Sequence, residues 1–290
     1  MKLIVKFNLV FLVIFVIGLI IAAYISRGLL QQNARDEVLQ NARIMMESSL
    51  ASRAYTSNQI RPLLETQMKY QFLPQSVPAY GATEQFNDLR KKFVDYTYKE
   101  ATLNPTNPRD RATDWEADVV NQFRQAPDRA ELVGERETPS GRALYMARPL
   151  QIKSEACLIC HSTVDVAPKT MIDLYGPANG FGWKLNEIIG AQIVSVPMTV
   201  PVKRADDTFR VFMISLTAVF AFIFVALNLM LLYIVIRPVT RLSQIADQVS
   251  LGKLDAPEFQ IKGKDEIAVL AGSFNRMRTS LVQAMKMLEG

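Results

Sequence analysis

Histidine and cysteine are almost absent from this chain, which has one histidine and two cysteines among 290 residues. The one histidine belongs to a motif that also contains both cysteines. No other histidine remains to act as the general base that activates a catalytic nucleophile. A zinc site built from four Cys or His ligands is likewise excluded unless a carboxylate completes it. We therefore expect a protein that is not an enzyme.

An excess of positive charge is also largely missing from the middle of the chain. The formal net charge is +5, but Lys2, Lys6 and the segment 237–290 carry much of it. The remaining residues hold nearly equal numbers of acidic and basic groups. A basic face for nucleic acid is therefore not predicted.

Two long apolar runs contain no charged residue, approximately Phe7 to Ile25 and Val211 to Ile236. A helix rises 1.5 Å per residue, so each run is long enough to cross a hydrocarbon layer of about 30 Å. The alternative for the first run is a cleaved signal peptide, because Lys2 and Lys6 form a basic n-region. Its apolar stretch is longer than a typical h-region, and a polar helical pattern follows it, which favours a retained membrane helix.

The basic residues that flank these runs predict the orientation in the membrane. Lys2 and Lys6 precede the first run, and Arg237 and Arg241 follow the second. The positive-inside rule then places both termini in the cytoplasm and the intervening domain outside it. We expect a membrane helix at 1–26, an extracytoplasmic domain at 27–208, a membrane helix at 209–236 and a cytoplasmic domain at 237–290.

Both cysteines and the histidine lie in one segment, Cys157, Leu158, Ile159, Cys160 and His161. The spacing C-x-x-C-H indicates attachment of a c-type haem, with two thiols on the porphyrin vinyl groups and the histidine as axial iron ligand. We therefore expect one covalently attached haem c with His161 on the iron. C-type cytochromes receive their haem on the outer face of the bacterial inner membrane, so we expect a periplasmic haem domain.

Three alternatives to a haem site are weaker. A disulfide between Cys157 and Cys160 leaves His161 without a role. A thioredoxin-like redox pair should follow a strand and open the helix of a βαβ unit, which the flanking Ser154 and Ser162 do not suggest. A zinc ion would need further ligands.

The domain outside the membrane is predicted to mix helices with a small antiparallel sheet, an α+β fold. Pro139 and Gly141 lie in the turn of a predicted hairpin. The predicted helices are Arg27 to Met68, Glu84 to Ala101 and Trp115 to Phe123; the loop and turn are Phe72 to Ala82 and Asn104 to Pro108; the strands are Glu131 to Glu137, Arg142 to Ile152 and Ile188 to Val196.

The C-terminal segment carries a heptad pattern. Its apolar residues are Ile267, Leu270, Phe274, Met277, Leu281, Ala284 and Leu288, and a shorter series Leu242, Ile245 and Val249 precedes them. The connector from Gly252 to Lys264 has Pro257 and Gly263 as breakers and Leu254 and Ile261 as apolar anchors. An amphipathic helix lying on the membrane is the alternative, but it explains the heptads less well.

Two amphipathic helices and such a connector below a membrane helix resemble a HAMP domain. The runs Asp265 to Leu270 and Ser273 to Met277 carry the likeness. The resemblance implies half of a parallel four-helix bundle in the cytoplasm, completed by a second chain. We therefore expect a homodimer.

The outer domain resembles the Tll0287-like family of c-type haem domains over about 40 to 200. The matching pieces are Arg53 to Thr56, Ser76 to Tyr80, Asn104 to Pro108, Arg148 to Leu150, the haem motif, Tyr175 and Gly176, Gly180 to Trp183, and Glu187 to Ala191. The resemblance implies a PAS-like fold that often precedes HAMP in membrane receptors. It also implies that the long N-terminal helix lies against the haem and supplies a distal ligand.

No histidine or cysteine remains for that distal position. The sixth ligand is then Met, Lys, Tyr, a small molecule or nothing, and we favour Met46 and then Met45 on the N-terminal helix. Filling of the core by these methionines is the alternative. Arg53 and Arg148 are candidates for pairing with the haem propionates, with ordinary salt bridges as the alternative. Candidates for the haem wall, each with core packing as the alternative, are Tyr55, Tyr175 and Trp183.

These features predict a membrane-bound sensor in which the redox state of the haem, or a bound diatomic gas, acts through the HAMP domain on a separate output protein. The alternative is a membrane-anchored c-type cytochrome that transfers electrons to a redox partner. The HAMP-like tail discriminates between them, because an electron carrier has no use for a bistable cytoplasmic bundle.

Overall fold

A computed structural model describes residues 3–253, 259 and 264–288 of the chain. The chain separates into two units, one of residues 27–208 and one of Met1–Ser26 with Phe209–Gly290. The connector residues named above, Leu254, Pro257, Ile261 and Gly263, lie outside the described residues.

The unit of residues 27–208 is built on a four-stranded antiparallel sheet with the order β1-β4-β3-β2. The strands are β1 (Thr97–Thr102), β2 (Leu132–Thr138), β3 (Gly141–Gln151) and β4 (Ile188–Pro197). The helices are α1 (Leu3–Tyr55), followed by a π-helical turn (Thr56–Ile60), then α2 (Arg61–Leu64), α3 (Pro78–Arg90), α4 (Asp114–Gln125), α5 (Leu158–His161) and α6 (Lys169–Tyr175).

Strand β4 lies inside the sheet and is buried along nearly its whole length. Its side chains alternate between the two faces, as the period of two along a strand requires. Val194 and Val196 pack with α1 and α3 on one face, while Ile193 and Ala191 pack with α4 on the other. A central strand covered on both faces is therefore mostly apolar, and its polar residues Gln192 and Ser195 are buried as well.

A third, smaller cluster lies away from the sheet. Phe72, Ala167 and Met171 are its buried members, and the half-buried Cys160 and Tyr175 pack against it. This cluster joins the loop before α3 to the segment that carries the cysteine motif.

Much of the predicted secondary structure is confirmed: the helix at α4, the hairpin of β2 and β3, and the strand at β4. The prediction of one helix from Glu84 to Ala101 is wrong in its second half. Helix α3 ends at Arg90, and β1 follows, paired along its length with β4. Side chains of β1 alternate between the two faces of the sheet, with Tyr98 in the core under α1 and α3 and Ala101 in the core under α4. Pairing with a buried strand outweighs local helix propensity. The predicted loop is also shorter, because α3 already begins at Pro78.

The other unit contains two helices that are long and apolar enough to cross a membrane by length and composition. The candidate spans are Ile4–Leu64 and Thr199–Ser250. Within the unit the rings of Phe15 and Phe220 stack with their centroids 5.2 Å apart. The helices here are α7 (Thr199–Met230), a π-helical turn (Leu231–Ile236), α8 (Arg237–Ser250) and α9 (Glu266–Leu288).

Helices α8 and α9 pack through a small core of Leu242, Phe259 and Ala271. The side-chain amide of Asn275 accepts a hydrogen bond from the backbone N–H of Phe259 and donates one to its carbonyl oxygen. The rest of the predicted heptad series is largely exposed on the single chain, including Leu270, Met277 and Leu281.

Candidate functional site

A cavity of about 520 Å³ lies within the unit of residues 27–208. Sites for small molecules and cofactors usually measure about 300 to 1,000 Å³. One wall is formed by Arg53 near the end of α1, Ser57 in the π-helical turn and Arg61 at the start of α2. Other walls come from the segments 68–80, 100–110 and 150–161 and from α6.

His161 lines this cavity at the end of α5. Its Nδ1 atom lies 2.8 Å from the carbonyl oxygen of Gly180. A carbonyl oxygen only accepts hydrogen bonds, so Nδ1 carries the proton and Nε2 keeps its lone pair. Burial lowers the pKa of His161, and the bond to Gly180 partly offsets this, so the neutral ring is favoured. The result is an imidazole with one nitrogen available to a metal.

The ring of Trp183 lies against the imidazole of His161, with centroids 3.9 Å apart and planes within 18°. The backbone N–H of Trp183 also donates to the carbonyl oxygen of His161, and that of Gly182 donates to Ser162. Trp183 therefore fixes the orientation of the imidazole plane.

The loop that holds His161 is itself fixed by Asn104. The Asn104 side chain accepts from the backbone N–H of Gly180 at 3.2 Å and donates to the carbonyl oxygen of Phe181 at 3.2 Å. Gly180 has φ +86°, and a Cβ there would lie 2.0 Å from Oγ1 of Thr106. Only glycine fits this close approach, and it places the carbonyl oxygen that His161 requires.

Both cysteines line the same cavity, and both thiols are free. Cys157 ends a 3₁₀ turn that begins at Glu155 and is capped by the side chain of Ser154, and Cys160 lies on α5. Burial raises the pKa of the Cys160 thiol, and the nearby cation of Arg61 partly offsets this. Among the described residues, no group of three or more His, Cys, Asp and Glu side chains could hold a metal ion.

A buried network of charged and polar side chains forms another part of the cavity wall. Arg53 forms an ion pair with Glu100, whose side chain is only 4% exposed. The hydroxyl of Tyr98 donates to Glu100 at 2.7 Å and accepts from Gln192 at 3.1 Å. Burial, and then the Glu100 charge, raise the pKa of Tyr98, so it stays protonated. Burial alone would lower the pKa of Arg53, but Glu100 more than offsets it.

Of the residues predicted for the site, six line the cavity. They are Cys157, Cys160, His161, Arg53, Tyr175 and Trp183.

The structure places the other four candidates elsewhere. Met46 is fully buried and packs with Met45 in the core between α1 and the sheet. Arg148 pairs with Glu47 at 2.7 Å and with Glu131 at 3.2 Å. Tyr55 is 54% exposed and is not part of the cavity wall. Met45, Met46 and Arg148 are thus used for packing and salt bridges, the alternatives considered for them.

Sequence reasoning missed several cavity residues. Met68 and Met171 line the wall with thioether side chains, and Met171 is almost fully buried. Arg61 and Thr106 line the wall as well. The position of Met68 and Met171 depends on the third cluster, which brings together segments about a hundred residues apart. The Asn104 to Pro108 turn was visible in the sequence, but not its bonds to the loop of Gly180.

Comparisons with known proteins identify the domains of this chain. The Tll0287-like family model matches residues 31–197, more than half of the chain, and the HAMP domain model matches residues 230–283. The chain belongs to the Tll0287-like family, and in it this domain is joined to a HAMP domain.

One solved structure that is similar carries the description "Crystal structure of the cyanobacterial heme-protein Tll0287". It is 15% identical, with a TM-score of 0.43 over 56% of this chain and 95% of that one. No curated protein matches the chain significantly.

The residues of the cavity fit a c-type haem. Two free thiols at the C-x-x-C spacing and an imidazole with its Nδ1 proton engaged share one cavity of cofactor size. Cys157 and Cys160 would hold the porphyrin, and His161 would bind the iron.

Proposed function

We propose that this protein is a membrane-bound sensor that binds one haem c outside the cytoplasm and passes the state of the haem through its HAMP domain to a separate output protein. The hydrogen bond from His161 Nδ1 to Gly180 carries the proposal, because it prepares Nε2 as a ligand beside two free thiols. The HAMP match supports a signalling role over electron transfer.

When bound, the haem would supply a redox-active iron whose ligation can change. The chain's residues do the rest. Gly180 and Trp183 hold the His161 ring in one tautomer and one plane, which raises its basicity as a ligand. The two thiols anchor the group covalently, so that a change at the iron acts on a fixed site in the protein.

Two thioethers of the cavity wall, Met68 and Met171, would be available as a second protein ligand to the iron when haem is bound. Met171 is the better candidate, because it is almost fully buried beside Cys160 and Tyr175 in the third cluster. This proposal replaces Met46 and Met45, which lie in the core of α1 and the sheet.

The route to the cytoplasm follows the chain. Strand β4 ends at Pro197 and α7 begins at Thr199, and α7 is helical to Met230 before the π-helical turn leads into α8. We propose membrane helices at 1–26 and 209–236, a PAS-like periplasmic haem domain at 27–208 and a HAMP domain at 237–290. A haem state that favours one position of α7 would favour one packing of α8 and α9.

A dimer completes the proposal. Leu270, Met277 and Leu281 are exposed on a single chain although they continue the heptad series of α9. A second copy would cover them in a four-helix bundle with two helices from each chain.

The first experiment tests the haem. The full chain is expressed with the haem maturation machinery, purified in detergent and examined by mass spectrometry and optical spectra in the oxidised, reduced and CO-bound states. We expect haem that resists acid-acetone extraction, and a sulfur-to-iron charge-transfer band in the parent that Met171→Leu loses and Met46→Leu keeps. A mass without haem would reject the cofactor.

The second experiment tests signalling. Cysteines introduced at Leu270 or Met277 should cross-link between chains in membranes at rates that differ between oxidised and reduced haem. Cysteine at Val269, which is exposed but outside the heptad series, is the control. Identical rates in both redox states and with CO would favour a membrane-anchored cytochrome instead.

A further inference from the structure

A second pocket of about 320 Å³ lies in the unit of residues 27–208. The register of β1 with β4 puts Thr97 opposite Ser195 and Lys99 opposite Ile193, and these two pairs lie on the pocket wall. Ile193 also belongs to the core beneath α4, so the pocket lies at the end of the sheet face that α4 covers. The wall is therefore the sheet itself, which is a rigid base for a ligand.

The charges on this wall are mostly positive. Lys99 is paired with Glu116 at 2.7 Å, and Arg109 is paired with Glu84. Arg90 and Arg136 also line the pocket, and in the described part of the chain neither forms an ion pair with a carboxylate. The guanidinium groups of Arg90 and Arg136 therefore keep N–H donors from which no acidic side chain of the described residues accepts a hydrogen bond.

One of these two cations is held in place. The guanidinium carbon of Arg136 lies 4.1 Å above the ring of Trp115, which is fixed in turn by an edge contact with Tyr145. Stacking restricts the side chain before any ligand arrives, so less conformational entropy is lost when it binds.

One polar group without a partner accompanies the cations. The hydroxyl of Thr83, which lines the pocket, is buried and has no hydrogen-bond partner among the described residues. An unpartnered buried hydroxyl is unfavourable, and rotation about its Cβ–Oγ1 bond would direct its hydrogen to a ligand in the pocket.

We propose that this pocket binds a small oxyanion with a carboxylate or phosphate group, to which Arg90 and Arg136 donate hydrogen bonds. Planar guanidinium forks match both groups with paired hydrogen bonds. The volume of about 320 Å³ lies at the lower end of the range for small-molecule sites, which suits a small organic anion or phosphate.

The pocket shares two residues with the haem cavity. Arg109 and Asp110 line both, within a single 3₁₀ turn (Pro108–Asp110). A bound anion would place negative charge beside this turn, which also lines the haem cavity. Negative charge near the iron stabilises its oxidised state. Anion binding would then lower the reduction potential, a coupling that rests on the proposed haem function.

Binding is tested first, because it does not depend on the haem. Isothermal titration of the full chain in detergent with phosphate and with malonate should show one site per chain, while sodium chloride at the same ionic strength shows none. Arg90→Gln and Arg136→Gln should each weaken binding about tenfold, the loss typical of a charge-assisted hydrogen bond. The matched control is Arg142→Gln, whose side chain is 63% exposed outside the pocket and should bind as the parent does.

The outcomes separate the two parts of the proposal. Absence of saturable binding for both oxyanions, or equal affinity in Arg90→Gln and the parent, overturns the site. Because Arg90 is exposed, its substitution leaves the fold intact even where that of Arg136 does not. If phosphate binds and the reduction potential stays constant, the coupling is overturned. If no haem is present at all, the binding result still decides the site.

Discussion

Gly180 and His161 are joined by a 2.8 Å hydrogen bond from the imidazole to a backbone carbonyl, and the backbone at Gly180 has φ +86° with no space for a side chain. The tautomer of the one histidine in the chain is therefore decided by a glycine nineteen residues away. Asn104 holds that glycine, so the orientation of the imidazole depends on three segments that are separate in sequence.

We expect Gly180→Ala to disturb the iron ligand more than the fold. The new Cβ would lie 2.0 Å from Thr106 Oγ1, so the loop must move and with it the carbonyl oxygen that His161 uses. Gly182→Ala is the matched control, since its φ is +80° but no atom lies within 4 Å of the new Cβ. Each should lose about 1 kcal/mol of stability from backbone strain, with about 1–3 kcal/mol more for Gly180→Ala.

Denaturant unfolding measures the stability loss, and the reduction potential and optical spectrum report the ligand field. A Gly180→Ala protein with the spectrum and potential of Gly182→Ala would contradict the role of the Gly180 carbonyl.

Arg53→Met should destabilise the outer domain by about 3–5 kcal/mol, because it leaves the buried Glu100 charge unpaired. The double variant Arg53→Met with Glu100→Gln should recover much of that loss. Arg148→Met is the comparison, and it should cost only about 1 kcal/mol because its partners Glu47 and Glu131 are 63% and 25% exposed, so neither is left as a fully buried charge. Equal free energies of unfolding for Arg53→Met and Arg148→Met would show that Glu100 does not depend on Arg53.

Asp110 makes stability depend on pH in the direction opposite to most carboxylates. Burial, partly offset by Arg109, raises its pKa from 3.8 to about 6. A group whose pKa is raised on folding holds its proton more tightly in the native state, so its contribution to stability is lost as pH rises from about 4 to 6. The loss should be about 2 kcal/mol.

Asp110→Asn removes this titration. Its free energy of unfolding minus that of the parent should grow by about 2 kcal/mol between pH 4 and pH 7. A flat difference for Asp110→Asn over this range would mean that Asp110 ionises normally.

Leu281→Glu should weaken the dimer without unfolding the chain, since Leu281 is 43% exposed on one chain and faces the expected partner. An unpaired charge in that seam would cost several kcal/mol. Gln283→Glu adds the same charge outside the heptad series and should leave cross-linking in membranes unchanged. Phe274→Glu, which also removes a contact with the core of α8 and α9, should lower thermal stability as well. Equal cross-linking of Leu281→Glu and the parent would argue against the bundle.

Adjacency in the sequence was enough to identify part of this protein. Cys157, Cys160 and His161 are neighbours, so their common cavity follows from local geometry in one 3₁₀ turn and the short helix that follows it. The alternation of β4 and the turn before Gly141 also predicted their strands correctly, and the HAMP and Tll0287-like resemblances are confirmed by the family matches.

The tertiary structure decided which distant residues reach the cavity. Met46 and Met171 are equally good sulfur donors as residue types, yet α1 packs Met46 against the sheet while the third cluster brings Met171 to the wall. Likewise β1 is a strand because β4 offers a buried partner, not because its own residues require it. Local pattern fixes which face of an element is apolar, but the free energy of packing between remote elements determines what that face meets, and no spacing in the chain records it.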